Sequence, residues 1–225
     1  MIAKKSKVWF LENFNFFSEL DMEERTFICQ NTIMRSLDKD EAVYFQSDPS
    51  NSVYFLKEGK IRISKFTPTG EEFILGILEK GEIFGESSIT GNKNRKEAAI
   101  VEEAVTYCVM KEEKFRELLL MTPSLNLKFS QMLEQKLEKA HQRLQDISCK
   151  NNQQRIIDFL KETASLSSRG PNGEWIINNS LTHQKIAKLT STNRQEVSSV
   201  LSLLRKNKII DYNRRVIKIL NFNEL

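Results

Sequence analysis

The apolar pattern along this 225-residue chain changes its period twice, and no single layer of structure accommodates both changes. From residue 40 to 110 apolar and polar residues alternate in short runs, the period of a strand. After Pro123, Leu133, Leu137, Ala140, Leu144 and Ile147 follow spacings of 4, 3, 4 and 3, a heptad seam set among Glu and Lys. From residue 181 two short amphipathic helical stripes follow each other, separated by small polar residues. The pattern predicts an α+β chain: an antiparallel β-roll or jelly-roll over 1–120, a long helix over 121–149, and a small helical domain over 150–225.

Within the first part, residues 8–35 read as helical, with an aromatic-rich start (Trp9, Phe10, Phe14, Phe16, Phe17). Glu58-Gly59 lies between two alternating runs and reads as a hairpin turn. Gly59, Gly70 and Gly81 recur every 11 residues, the spacing of turns in a compact antiparallel roll. "AAIVEEAVTYCVM" closes the strand run. A 3.5-residue seam on the long helix matches a partner helix better than it matches a single barrel, so Leu133, Leu137, Ala140, Leu144 and Ile147 are expected to join two copies of the chain.

The stretch "LTSTNRQEVSSVLSLLRKNKII" carries the most specific local signal. Val197, Val200, Leu201 and Leu204 stand at i, i+3, i+4 and i+7. At about 100° per residue, Gln195, Ser199, Ser202 and Lys206 fall on the opposite face, with Ser198 flanking it and Arg194 at its start. A solvated helix face is usually rich in Glu and Lys; this one is built of short donors and acceptors that can approach another surface closely. Thr192 followed by Gln195 fits a capping box for this helix. Thr182 fits the cap of the helix before it, with Leu181 and Ile186 as a hydrophobic staple. A short helix, a turn over 190–192 and a second helix over 193–206 make a helix-turn-helix, whose second helix enters the DNA major groove. "DYNRRVIKIL" follows as a basic hairpin, a wing carrying Arg214 and Arg215.

Charge agrees with that reading. Residues 150–225 hold 13 Lys/Arg against 6 Asp/Glu, a net +7, whereas residues 1–149 carry −3. Phosphate binding requires the first sign. Cys29, Cys108 and Cys149 are odd in number and widely spaced, which supports neither a disulfide framework nor a zinc or iron–sulfur site. No apolar run reaches 18 residues, so no membrane partner is expected. Glu12 interrupts the apolar N-terminal stretch and no small-residue cleavage site follows, against a signal peptide. A cytoplasmic protein is expected. The two histidines are far apart and no Ser/His/Asp or Cys/His order occurs at useful spacing, so no enzyme is expected. A module that uses its helix-turn-helix for protein docking is the remaining alternative, and the +7 charge with a close-approach polar face argues against it.

The order of barrel, dimer helix and winged helix-turn-helix resembles the Crp/Fnr family of bacterial transcription regulators over nearly the whole chain. "LTHQKIAKLTSTNRQEVSSVLSLLRKNKII" is similar to the family's DNA-binding signature, and "GEIFGESSITGNKNRKEAAI" to the phosphate-binding cassette of cyclic-nucleotide domains. The resemblance implies a homodimer binding double-stranded DNA at an inverted repeat. It places base contacts at Arg194, Gln195 and Ser199 and a backbone contact at Ser198; Thr182, Ser202, Lys206, Arg214 and Arg215 complete the expected DNA-facing set. Gln195 stands where the family usually has Glu, and Ser199 where it usually has Arg, so adenine is the base Gln195 would read. Ser191 replaces the Gly often found in the turn. RNA polymerase enters as a partner through the resemblance alone, and no residue pattern marks a patch for it.

In the cassette, Gly85, Glu86 and Ser87 match the phosphate- and ribose-binding turn. A gapless match then puts Lys96 and Glu97 where cyclic-AMP binders carry Arg and Ser or Thr, with Arg95 one residue early, and it puts Ala140 and His141 where they contact adenine. Lys lacks the bidentate fork of Arg, and Glu97 would repel a phosphate. These departures argue against cyclic AMP and for another small-molecule effector or none. The clustered N-terminal cysteines of iron–sulfur relatives are missing, and His141, the single histidine outside the DNA-binding domain, is no haem site without partners. No cofactor is expected.

Overall fold

A computed structural model describes residues 14–171, 173–178, 181–213 and 216–225. Trp9, Phe10, Arg214 and Arg215 therefore lie outside the described residues. The chain divides into two compact units, residues 1–136 and 137–225.

The N-terminal unit opens with a 3-10 turn at Asn15–Phe17 and helix α1, Met22–Asn31. Asp21 caps α1 in a full capping box with Glu24. The expected helix over 8–35 is shorter at its end, because strand β1 begins at Thr32 and runs to Leu37. Strands β2 (Ala42–Tyr44), β3 (Ser52–Phe66), β4 (Glu72–Leu78), β5 (Ile83–Phe84) and β6 (Ala98–Lys111) complete one antiparallel sheet. Its path is β1-β6-β3-β4, with β2 paired to β6 and β5 to β3. Helix α2, Glu112–Met121, follows β6 directly, and helix α3 runs from Pro123 to Cys149.

Alternation along β3 assigns its two faces to two cores. Val53 and Phe55 pack with Phe14, Phe17, Phe115, Leu118 and Phe129 under the helices, whereas Tyr54 and Leu56 face the interior of the roll with Tyr44, Phe84 and Tyr107. Phe17, Phe55 and Phe115 are all but fully buried. Each such ring contributes roughly 1.5–3 kcal/mol by burial, and centroid spacings of 5.2 Å (Phe17–Phe55) and 5.8 Å (Phe55–Phe115) place them in favourable aromatic contact.

The expected hairpin at Glu58-Gly59 is not a turn. β3 continues straight through it, with register shifts against β6 on both sides of Glu58. Gly59 sits at φ +83°, and a Cβ there would lie 2.1 Å from the Ala104 carbonyl oxygen. The glycine marks a bulge where two backbones close on each other, which uses the same residue a hairpin would.

In the C-terminal unit, helix α4 (Asn152–Ser165) starts at Asn151, which forms a capping box with Gln154. Strands β7 (Ser168–Arg169), β8 (Trp175–Asn178), β9 (Ile210–Tyr212) and β10 (Val216–Ile219) form an antiparallel sheet in the order β7-β8-β10-β9. Helices α5 (His183–Thr190) and α6 (Arg194–Lys206) lie between β8 and β9 in sequence. The expected stripe of α6 (Val197, Val200, Leu201 and Leu204) is buried with Ile156, Leu160, Ile177, Ile186 and Ile217 in one core. Leu181 and Ile186 share that core, as the staple requires. No helix among the described residues is long and apolar enough to cross a membrane.

Candidate nucleic-acid interface and barrel cassette

The turn between α5 and α6 is made by one residue in the left-handed region. Ser191 has φ 53° and ψ 48°, and its backbone N–H donates to the Ala187 carbonyl. A glycine would take this conformation without strain. Serine is held there instead by arginines that collect the orphan carbonyls at the end of α5. Arg155 donates from Nε to Thr190 O (3.0 Å) and from Nη2 to Ser191 O (3.0 Å), and Arg143 donates to Leu189 O (3.2 Å). Cations at a helix C-terminus also complement its dipole. Burial lowers the pKa of Arg143 from its ordinary value.

The expected cap of α6 is displaced by one residue. Asn193, not Thr192, is the N-cap: its Oδ1 accepts from the Glu196 N–H at 2.9 Å, and Glu196 reaches back to the Asn193 N–H at 3.3 Å. Thr192 pairs its hydroxyl with that of Thr190 at 2.9 Å. Asn152 of α4 also donates to Glu196, which ties the start of α6 to the core. Gln195 is therefore free of capping duty. It is exposed together with Arg194, Ser199, Ser202 and Lys206, while Ser198 is half-buried. Thr182 caps α5, with its hydroxyl accepting from the Lys185 N–H at 3.2 Å. The face thus presents two cations and four hydrogen-bonding side chains on one rigid helix. Sequence reasoning missed His183, whose Nδ1 lies 2.8 Å from Ser198 Oγ.

In the barrel, Gly85 takes φ +73° at the start of a 3-10 turn, Glu86–Ser88. Its space is already taken: a Cβ there would meet Arg95 Nη1 at 2.8 Å and the Tyr54 ring at 2.7 Å. The gapless match is off by one residue. Lys96 is exposed, and it is Arg95, only 3% exposed, that reaches the cassette. Its Nη1 donates to Gly85 O (2.7 Å) and its Nη2 to Ser52 O (2.6 Å), and the guanidinium lies 4.4 Å from the Tyr44 ring centre and 5.3 Å from that of Tyr54. The fork that would grip a phosphate is spent on two backbone carbonyls.

Glu86 is engaged as well. Lys136 of α3 pairs with it at 2.7 Å and donates to Ile83 O at 2.8 Å, a contact across fifty residues that no local pattern announces. Half-buried Glu97 has its pKa raised by burial first and by the Glu86 charge second. Tyr44 is shifted up mainly by burial. An anionic phosphate would meet two carboxylates here and a guanidinium whose two terminal nitrogens already donate to carbonyls. Ala140 and His141, the expected adenine contacts, are exposed on the part of α3 that belongs to the C-terminal unit. Among the described residues no cluster of three His, Cys, Asp or Glu side chains could hold a metal.

Comparison with known proteins matches both units. Residues 34–121 match the model of the cyclic nucleotide-binding domain, and residues 154–225 that of the Crp-like helix-turn-helix domain. The chain is similar to the Global nitrogen regulator of Nostoc sp., 25% identical over 190 residues that cover 83% of this chain and 85% of the relative. It is 29% identical to the Transcriptional regulator LdrP of Thermus thermophilus over 177 residues, 79% of this chain and 87% of that one. Among solved structures, FixK2 from Bradyrhizobium japonicum superposes with a TM-score of 0.75 at 20% identity, over 86% of this chain and 94% of the other.

Proposed function

The chain belongs to the Crp/Fnr family of transcription regulators, and from that premise we propose that it is a homodimer whose two α6 helices read an inverted repeat in double-stranded DNA. It is a DNA-binding regulator rather than an enzyme, as its relatives are. The observation that carries the proposal is the division of labour at the start of α6: Asn193 and Glu196 do the capping, which leaves Arg194, Gln195 and Ser199 exposed together on the face opposite the buried stripe. In this reading those three face base edges. Thr182, Ser198, Ser202, Lys206 and the wing residues Arg214 and Arg215 face the phosphates.

Dimerisation is supported by α3. Leu137, Ala140, Leu144 and Ile147 are all exposed on it. Leu137 and Leu144 are 50% and 62% exposed, one heptad apart, and form an apolar stripe left half or more open by the described residues. Leu133, expected in the same seam, packs partly against the barrel core, and in this reading the seam starts at Leu137.

For the barrel, the spent Arg95 and the Glu86–Lys136 pair support an effector other than cyclic AMP, or action without one. The test is selection of binding sites from random DNA, with sedimentation of the complex. Two half-sites about 34 Å apart in inverted orientation, bound by two subunits, are expected. A single half-site bound by one subunit, or no selected sequence, overturns the proposal.

A further inference from the structure

His183 is the first residue of α5, and it touches both of the other elements expected to meet DNA. Its Nδ1 lies 2.8 Å from the Ser198 hydroxyl on α6, and its ring meets the edge of Tyr212 on β9 at 5.8 Å between centroids. Tyr212 in turn lies under the Arg205 guanidinium, 5.2 Å from its ring, and Arg205 pairs with Asp211 at 3.1 Å. The imidazole therefore sits where the first helix, the second helix and the wing strand come together.

A hydroxyl has one hydrogen, and the imidazole decides where it goes. If Nδ1 is bare, Ser198 must donate to it, and only lone pairs remain to face outward. If Nδ1 carries a proton, it donates to Ser198 and the hydroxyl hydrogen is released. DNA phosphate oxygens accept and never donate. The two arrangements thus make Ser198 a poor or a good phosphate ligand without moving a heavy atom.

We propose that His183 is a positioning residue for DNA binding, whose Nδ1–H fixes Ser198 as a hydrogen-bond donor to the phosphate backbone, so that binding is coupled to the protonation of this imidazole. The inference rests on the reading that α6 enters the major groove. Both the Nδ1–H tautomer and the imidazolium satisfy it, but the imidazolium always carries hydrogen on Nδ1 and makes the stronger, charge-assisted bond to Ser198. DNA therefore favours the protonated ring, so binding takes up a proton and affinity rises as pH falls.

The experiment measures affinity for one selected duplex at pH 6 and pH 8, at fixed salt, for wild type, His183→Gln, His183→Asn, Ser198→Ala and His141→Gln. Wild type should bind roughly fivefold more tightly at pH 6, the surplus of a hydrogen bond from a charged donor over one from a neutral donor. Ser198→Ala should lose most of that response, and both His183 variants all of it. Either amide still supplies a neutral N–H toward Ser198, so these variants should bind at pH 8 no worse than wild type. His141→Gln, altered at an exposed position on α3, should keep the wild-type profile. Nitrogen chemical shifts of the imidazole in the complex should show hydrogen on Nδ1. A flat wild-type profile, a full pH response in Ser198→Ala, or a bare Nδ1 in the complex overturns the inference while leaving DNA reading intact. Failure of wild type to bind any duplex at either pH overturns both.

Discussion

Arg155 of α4 donates from its Nε to the carbonyl of Thr190, the last residue of α5, at 3.0 Å. From there the same guanidinium reaches Ser191 O, Lys150 O and Asn152 Oδ1, so one side chain holds the turn of the helix-turn-helix against the helix that precedes it. Arg155→Ala leaves the end of α5 with orphan carbonyls and a left-handed serine without support. It should cost about 1–3 kcal/mol of stability, the range for losing hydrogen bonds to a charged group. Arg155→Lys should recover little, because three donors on one nitrogen cannot span the four acceptors that the guanidinium fork reaches. Thermal unfolding of the two variants checks both expectations.

Gln195 is exposed and its neighbours cap the helix without it. Gln195→Ala should therefore leave stability nearly unchanged. Its cost should appear in DNA binding, at roughly 1–3 kcal/mol on the selected site, with relaxed preference at one base pair per half-site. Site selection with wild type and variant decides the matter: identical sequence preferences would remove Gln195 from the reading face.

How much of this was legible beforehand depended on whether local spacing was enough. The buried stripe of α6 and the Thr182 cap follow from periodicity and one turn of helix, and both stand where the pattern put them. The α6 cap was ambiguous for a physical reason. Thr192 with Gln195 and Asn193 with Glu196 satisfy the same capping rule one residue apart, and the contacts that separate them, Asn152 with Glu196 and Thr190 with Thr192, lie outside that rule. Gly59 was misread for a similar reason. A hairpin and a bulge both ask for a left-handed glycine, and the deciding neighbour, Ala104, lies on another strand. In the cassette, a gapless match cannot see that the loop delivers Arg95 rather than Lys96, nor that Lys136 comes from α3 to neutralise Glu86.

Cyclic AMP should bind weakly or not at all. Binding its phosphate would require Arg95 to leave the Gly85 and Ser52 carbonyls, and Glu86 to leave Lys136 for the ribose. Calorimetry with millimolar nucleotide should give no saturable heat. A dissociation constant in the low micromolar range would show that the Arg95 fork is released at little cost.

Burial and the neighbouring Glu86 hold the Glu97 carboxyl above its ordinary pKa. A folded-state pKa above the unfolded one means the charged form is disfavoured by folding. The stability advantage is complete below the unfolded value, about 4.3 for Glu, and is lost as pH rises through the folded value. Glu97→Gln removes that loss. The variant should be more stable than wild type at neutral pH, and the difference should shrink towards acid, in melting temperatures measured across that range.

The apolar stripe on α3 offers the clearest test of assembly. Leu137 and Leu144 are half or more exposed in the single chain, so Lys at either position costs the isolated subunit little. Against a partner helix the same two lysines would bury charge in an apolar seam, at several kcal/mol. Leu137→Lys with Leu144→Lys should therefore give a folded monomer by sedimentation, with unchanged far-ultraviolet circular dichroism. Its DNA affinity should fall sharply, because two half-sites are no longer read by one joined pair of helices. A double variant that stays dimeric and keeps full affinity would place the subunit interface elsewhere on the molecule.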